Sequence, residues 1–282
     1  MTSIKVSNNI YYGAEGKESL IDLEIPQDFN GQIIIFVHGF MGFKDWGAWY
    51  LVQKFFTDKR YGFCKFNTTH NGGTIKDGID FSDPSSFSRN TYSKEIADVN
   101  AVVKWIDQKV DIWSGHFIGH SKGGAVALIS GQHIPVIRSI STWASIASIE
   151  ERFPIGKALE EWKSNGFRTI KNGRTLQDLP QAIGLWEDFQ KYKSNYDLKK
   201  ICEACQKPIF IAHGEKDTSV SIDDGIKLSK WSNTILNIIQ NADHVFQSKQ
   251  PWHLPKMPAN LQELCRRTEI FISSMYNYCL LY

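Results

Sequence analysis

The sequence predicts an α/β protein built on a mostly parallel, doubly wound sheet, with an extra segment inserted between two of its strands. Three observations carry this expectation. Apolar runs rich in β-branched residues alternate with stretches of helical period. A strand-turn-helix signature sits at Gly119-His120-Ser121-Lys122-Gly123. The run at residues 137–143 is separated from the run at 208–212 by about sixty residues, far more than one crossover helix needs.

Ile33-Ile34-Ile35-Phe36-Val37 has the unbroken β-branched character of a parallel strand covered on both faces. Phe63-Cys64-Lys65-Phe66 and Pro208-Ile209-Phe210-Ile211-Ala212 are shorter strands of that kind. Residues 4–6 and 20–25 read as antiparallel strands added at the sheet edge. Trp46, Trp49, Phe55 and Phe56 mark one helix, and Ile96, Val99, Val103 and Ile106 another. Leu261, Leu264, Thr268, Phe271, Met275 and Cys279 mark a C-terminal helix after Pro258. In the long interval, Asn172-Gly173 separates two short runs, 167–170 and 174–176, and predicts a hairpin with its turn there. Helices carrying Trp162 and Trp186 flank it. The predicted organisation is a core of residues 1–146 and 196–282 and a cap of residues 147–195.

Composition bounds the function. A chain of 282 residues with 42% hydrophobic and 22% charged residues is ordinary for a globular protein. The net charge is +2, with both signs interspersed, so no nucleic-acid or membrane partner is expected. The first residues lack a signal-peptide core and no apolar stretch is long enough to span a bilayer, which makes cytoplasm the expected compartment. Five cysteines at irregular spacing do not read as a disulfide framework. Cys202 and Cys205 read as helix cysteines rather than a redox pair, and no second pair completes a zinc site. No metal and no cofactor are expected.

Gly119-His120-Ser121-Lys122-Gly123 fits G-x-S-x-G, in which a serine is lifted on a tight turn between strand and helix. Its Oγ stands clear of the backbone, and the first helical N–H groups face an oxyanion on the attacked carbonyl. Asp217, in His213-Gly214-Glu215-Lys216-Asp217, and His244, in Asn241-Ala242-Asp243-His244, follow later strands. The chain order Ser121, Asp217, His244 supplies a nucleophile, a carboxylate and an imidazole base at carboxyl ends of strands. Glu215 and Asp243 are the alternatives to Asp217. His38-Gly39-Phe40 follows the strand at 33–37, so the Phe40 N–H and the Lys122 N–H form a two-donor oxyanion hole.

Together the blocks HGFMGFKDWG, GHSKGG, HGEKD and NADHVF resemble the α/β-hydrolase superfamily over nearly the whole chain. The spelling of the first block, with FNTTHNGG after the next strand, is similar to a bacterial branch near the cinnamoyl and feruloyl esterases. The resemblance implies the α/β-hydrolase fold and ester hydrolysis through an acyl-serine. Ser121 is then the nucleophile, Asp217 the acid, His244 the base, and Phe40 and Lys122 the oxyanion donors. Lys122 departs from the more usual Met or Gln; its donor is backbone, so the role survives, and its charge leaves room for anionic substrates. His70, Trp162 and Trp186 are candidate pocket residues, each also readable as a structural side chain. The expected partner is a small-molecule ester with a small or aromatic acyl group. A peptidase or thioesterase would use the same residues, and a silent hydrolase-like binding protein is the reading from another class.

Overall fold

A computed structural model describes residues 3–279, with side chains to 275. Its strands are β1 (Ile4–Tyr12), β2 (Glu18–Ile25), β3 (Gln32–Val37), β4 (Gly62–Phe66), β5 (Ser114–His120), β6 (Ile137–Trp143), β7 (Phe167–Lys171), β8 (Asp178–Ala182), β9 (Ile209–Gly214) and β10 (Leu236–Ile239). Eight form one sheet in the order β1-β2-β4-β3-β5-β6-β9-β10, and β7 and β8 form a separate ribbon. From β4 to β10 the pairing is parallel, while β1 and β2 are antiparallel additions at the edge. β3, β4 and β9 are buried at every position, as their unbroken apolar runs require.

The helices are α1 (Trp49–Thr57), α2 (Pro84–Ser88), α3 (Tyr92–Asp107), α4 (Lys122–Gly131), α5 (Lys157–Asn165), α6 (Gly184–Tyr192), α7 (Leu198–Ala204), α8 (Ile222–Trp231) and α9 (Ala259–Cys279). One face of the sheet packs against α3, α4, α7 and α8 through residues such as Val99, Val126, Ile201 and Leu228. The other packs against α1 and α9 through Val52, Phe56, Leu261 and Ile272. Trp46 lies outside α1, in the turn preceding it.

The interval between β6 and β9 holds α5, the β7–β8 ribbon and α6. Its hairpin differs from the sequence expectation. Lys171 pairs with Asp178, so residues 172–177 make a six-residue connection and 174–176 are turn rather than strand. Asn172 causes this: its side-chain carbonyl accepts from the N–H groups of Arg174 (2.9 Å) and Thr175 (3.3 Å). Such an Asx turn consumes the asparagine that a two-residue turn would have used. Among the described residues no helix is long and apolar enough to cross a membrane. Cys202 is buried in α7, its thiol pushed up to about 12 by burial, and Cys205 follows the helix as a second free thiol.

Candidate active site

Ser121 lies between the end of β5 and the first residue of α4, with φ 56° and ψ −124°. This left-handed backbone is sparsely populated for a non-glycine residue and costs about 1–3 kcal/mol, so packing must impose it. Two glycines make that packing possible. A Cβ on Gly119 would lie 2.3 Å from the Gly123 carbonyl oxygen, and one on Gly123 would lie 2.3 Å from that of Val37. Strand and helix therefore approach more closely here than any side chain permits.

Asp217 and His244 meet as a pair. His244 Nδ1–H donates to Asp217 Oδ2 at 2.7 Å, which leaves Nε2 as the free acceptor of the ring. The Asp217 side chain is fully buried. Its other oxygen accepts from the N–H groups of Ser219 (2.8 Å) and Val220 (2.9 Å), and His213 Nε2 lies 3.3 Å from Oδ2. Burial by itself would raise the carboxyl, but hydrogen bonds from His213 and His244 outweigh it and hold Asp217 well below the usual carboxylate range. A depressed folded-state value favours folding above the unfolded carboxylate pKa of ~3.9, and the contribution is lost as pH falls below it. Asp217→Asn should therefore cost roughly 1.5–3 kcal/mol at neutral pH. In urea titrations that difference should shrink steadily below about pH 4. A deficit independent of pH would show that the charge is not its source.

The rival carboxylates are engaged elsewhere. Glu215 accepts from the Asn241 N–H, and Asp243 accepts from Val245 and Gln247 in its own loop. His120 supports the imidazole pair from below: its Nε2–H donates to the His244 carbonyl at 2.8 Å, and the two rings lie 4.8 Å apart. Burial, with the nearby His244, drives the His120 pKa down to about 3, so it is a neutral donor. No hydrogen bond joins Ser121 Oγ to His244 within 3.5 Å; both residues line the same two cavities.

Ser121, His244 and Phe40 stand where two cavities meet. One, of about 350 Å³, lies beneath the β7–β8 ribbon and takes Tyr92, Phe153, Arg168, Ile170 and Leu185 into its walls. The other, of about 210 Å³, runs toward Trp46, Trp49 and Arg174. The N–H of Lys122 is the first of α4 and has no intrahelical acceptor, and the Phe40 N–H donates to no other residue among those described. The Phe40 loop is held by a buried ion cluster. Lys44 and Lys65 each lie 2.9 Å from Asp22, and both also contact Asp45.

The remaining sequence candidates fall off the cavities. His70 is buried between Thr69 (2.8 Å) and Glu15 (3.2 Å), and burial lowers its pKa to about 4. Trp162 is buried, donates to the Gln181 carbonyl (2.9 Å) and packs on Phe153. Trp186 also packs on Phe153, 5.0 Å between centroids. Both tryptophans support Phe153 from behind, because amphipathic helices turn their largest apolar groups inward. Sequence reading missed Glu95, whose carboxylate lies 2.9 Å from Lys122 Nζ and neutralises it. It also missed Tyr92, Arg152 and Arg168. Strand alternation in 167–171 was the available signal for Arg168 and Ile170, which share one face of β7. Among the described residues no group of three or more His, Cys, Asp or Glu side chains could hold a metal ion.

Comparison with solved structures gives fold similarity at low sequence identity. No family model matches the chain, and no curated protein matches it. Among solved structures it is similar to the ferulic-acid complex of Est1E from Butyrivibrio proteoclasticus, at 17% identity over 94% of this chain and 98% of that one, with a TM-score of 0.70. It is similar to the α/β hydrolase GrgF from a Penicillium species at 12% identity, over 97% and 99% of the two chains, TM-score 0.70. The esterase domain of a Rhodothermus marinus protein aligns at 16% identity over 88% and 91%, TM-score 0.61. The strand order, the turn at Ser121 and these likenesses together identify the chain's architecture as the α/β-hydrolase fold.

Proposed function

We propose that the protein is a serine hydrolase that cleaves carboxylic esters through an acyl-serine intermediate. The observation that carries this is the convergence of the strained Ser121 and the His244–Asp217 pair on one cavity floor. Ser121 Oγ attacks the ester carbonyl while His244 Nε2 takes its proton. Asp217 fixes the ring tautomer and stabilises the imidazolium. The carbonyl oxygen becomes an oxyanion held by the Phe40 and Lys122 N–H groups, with the positive end of α4 behind it. Collapse expels the alcohol, which receives the proton from His244. Water then attacks the acyl carbonyl and gives its proton to His244; the C–Oγ bond breaks, the acid leaves, and Ser121 Oγ takes the proton back from His244. Residues 147–195 act as the cap: the β7–β8 ribbon and α6 supply Arg168, Ile170, Gln181 and Leu185 to the cavity wall. The apolar walls suit a small or aromatic group, and the esterases among the structural neighbours support an ester over an amide or thioester.

A fluorophosphonate probe followed by peptide mass analysis should place one adduct on Ser121. An adduct elsewhere, or none at all, would refute the assignment. A panel of esters, thioesters and amides with one acyl group then separates the leaving-group classes.

A further inference from the structure

The cavity beneath the β7–β8 ribbon has three cations in its wall, Lys122, Arg152 and Arg168, and no carboxylate. Two are answered from behind. Lys122 is paired with Glu95, and Arg152 with Asp224. Arg168 is different: among the described residues no Asp or Glu pairs with it. Its Nε–H donates to Gln181 Oε1 at 2.8 Å, and its guanidinium lies over the Trp162 ring, 4.2 Å from the centroid. Arg168 and Gln181 are directly opposite in the β7–β8 register, on the face that closes the cavity. These contacts fix the plane of the fork without neutralising its charge, and its two terminal nitrogens have no acceptor among the described residues. Burial also disfavours the charged guanidinium, as expected where no anion compensates it.

A structural role accounts for the stacking on Trp162 but not for an unpaired cation that shares a cavity with Ile146, Phe153, Leu185 and Val220. We infer that Arg168 binds a carboxylate on the substrate, away from the scissile ester. This rests on Ser121 being the nucleophile. The substrate class is then a monoester of a dicarboxylic acid or an ester of a hydroxy acid. A planar carboxylate matches the guanidinium fork with two parallel hydrogen bonds. A phosphate dianion would leave its second charge unanswered, since Lys122 and Arg152 already have counterions.

The test compares charged and neutral substrates of equal length. One arm uses monoethyl esters of succinic, glutaric and adipic acids against their ω-amides. The other uses acetate esters of hydroxy acids against the hydroxy amides. In one arm the wild type should prefer the carboxylate by tenfold or more in kcat/KM, and the arm identifies which side of the ester Arg168 reads. The preference should weaken with added salt, because it is an ion pair at a half-open site. Arg168→Gln should bring the charged-to-neutral ratio near one, and Arg168→Lys should retain part of it. Ratios near one in both wild-type arms, or a preference that survives Arg168→Gln, would overturn the inference while leaving the esterase reading intact. No turnover of any member, with no fluorophosphonate adduct on Ser121, would overturn both.

Discussion

Ser121→Ala should lower kcat for esters by roughly four to six orders of magnitude while the protein still folds. The residual rate, about 10³-fold over water, would come from the Phe40 and Lys122 donors and from substrate binding. Stability separates this loss from misfolding. Alanine has the same difficulty as serine at φ 56°, so Ser121→Ala should melt close to wild type. Ser121→Gly should be equally inactive yet gain on the order of 1 kcal/mol, because glycine adopts that backbone freely. Pre-steady-state bursts and thermal melts of the two variants read both effects. Substantial activity in either variant would remove Ser121 from the chemistry. A glycine variant no more stable than the alanine one would mean that the turn stores no strain.

Glu95→Gln should be the most destabilising single change near the site, at about 3–5 kcal/mol. The Lys122 and Glu95 side chains are only 9% and 7% exposed. Tyr92, whose ring centroid lies 4.5 Å from the ammonium, cannot replace the carboxylate as a counterion. Removing the carboxylate strands a cation at the start of α4, where the helix dipole also opposes it. Glutamine keeps an amide oxygen that can accept from the Asn90 amide (2.7 Å), so the loss is one of charge. The double variant Glu95→Gln with Lys122→Met should recover most of the loss, since a buried pair replaced by uncharged groups is often neutral. Because the proposed oxyanion donor at 122 is a backbone N–H, the double variant should also keep ester turnover. Urea unfolding of the set gives the coupling directly. Additive effects of the two substitutions would show that the pair contributes nothing.

The sheet was legible because burial on both faces leaves unbroken apolar runs, as in β3 and β9, and because the glycines around Ser121 have a steric cause. Asp217 and His244 follow successive strands, and that order alone marks them as neighbours at one edge of the sheet. What lay outside reach was pairing between distant segments. Nothing in the spelling of 122 says that Glu95 answers it. Trp162 and Trp186 share the composition of a pocket lining, yet the side of a helix that meets ligand depends on what packs beneath it. Asn172 resisted for another reason: one amide can serve a two-residue turn or an Asx turn, and only the register of Lys171 with Asp178 decides.

The bond from His120 to the His244 carbonyl ties together two parts of the chain with different tolerance to opening. His244 lies in the loop after β10, a four-residue strand at the edge of the sheet, where hydrogen bonds are lost first. His120 ends β5, deep in the sheet, and leads straight into Ser121. The proposed base is thus moored to the strand that carries the proposed nucleophile as well as to Asp217 after β9. Fraying of the edge can proceed without carrying the imidazole away. On warming, amide exchange in β10 should therefore precede the loss of ester turnover, as two separate events.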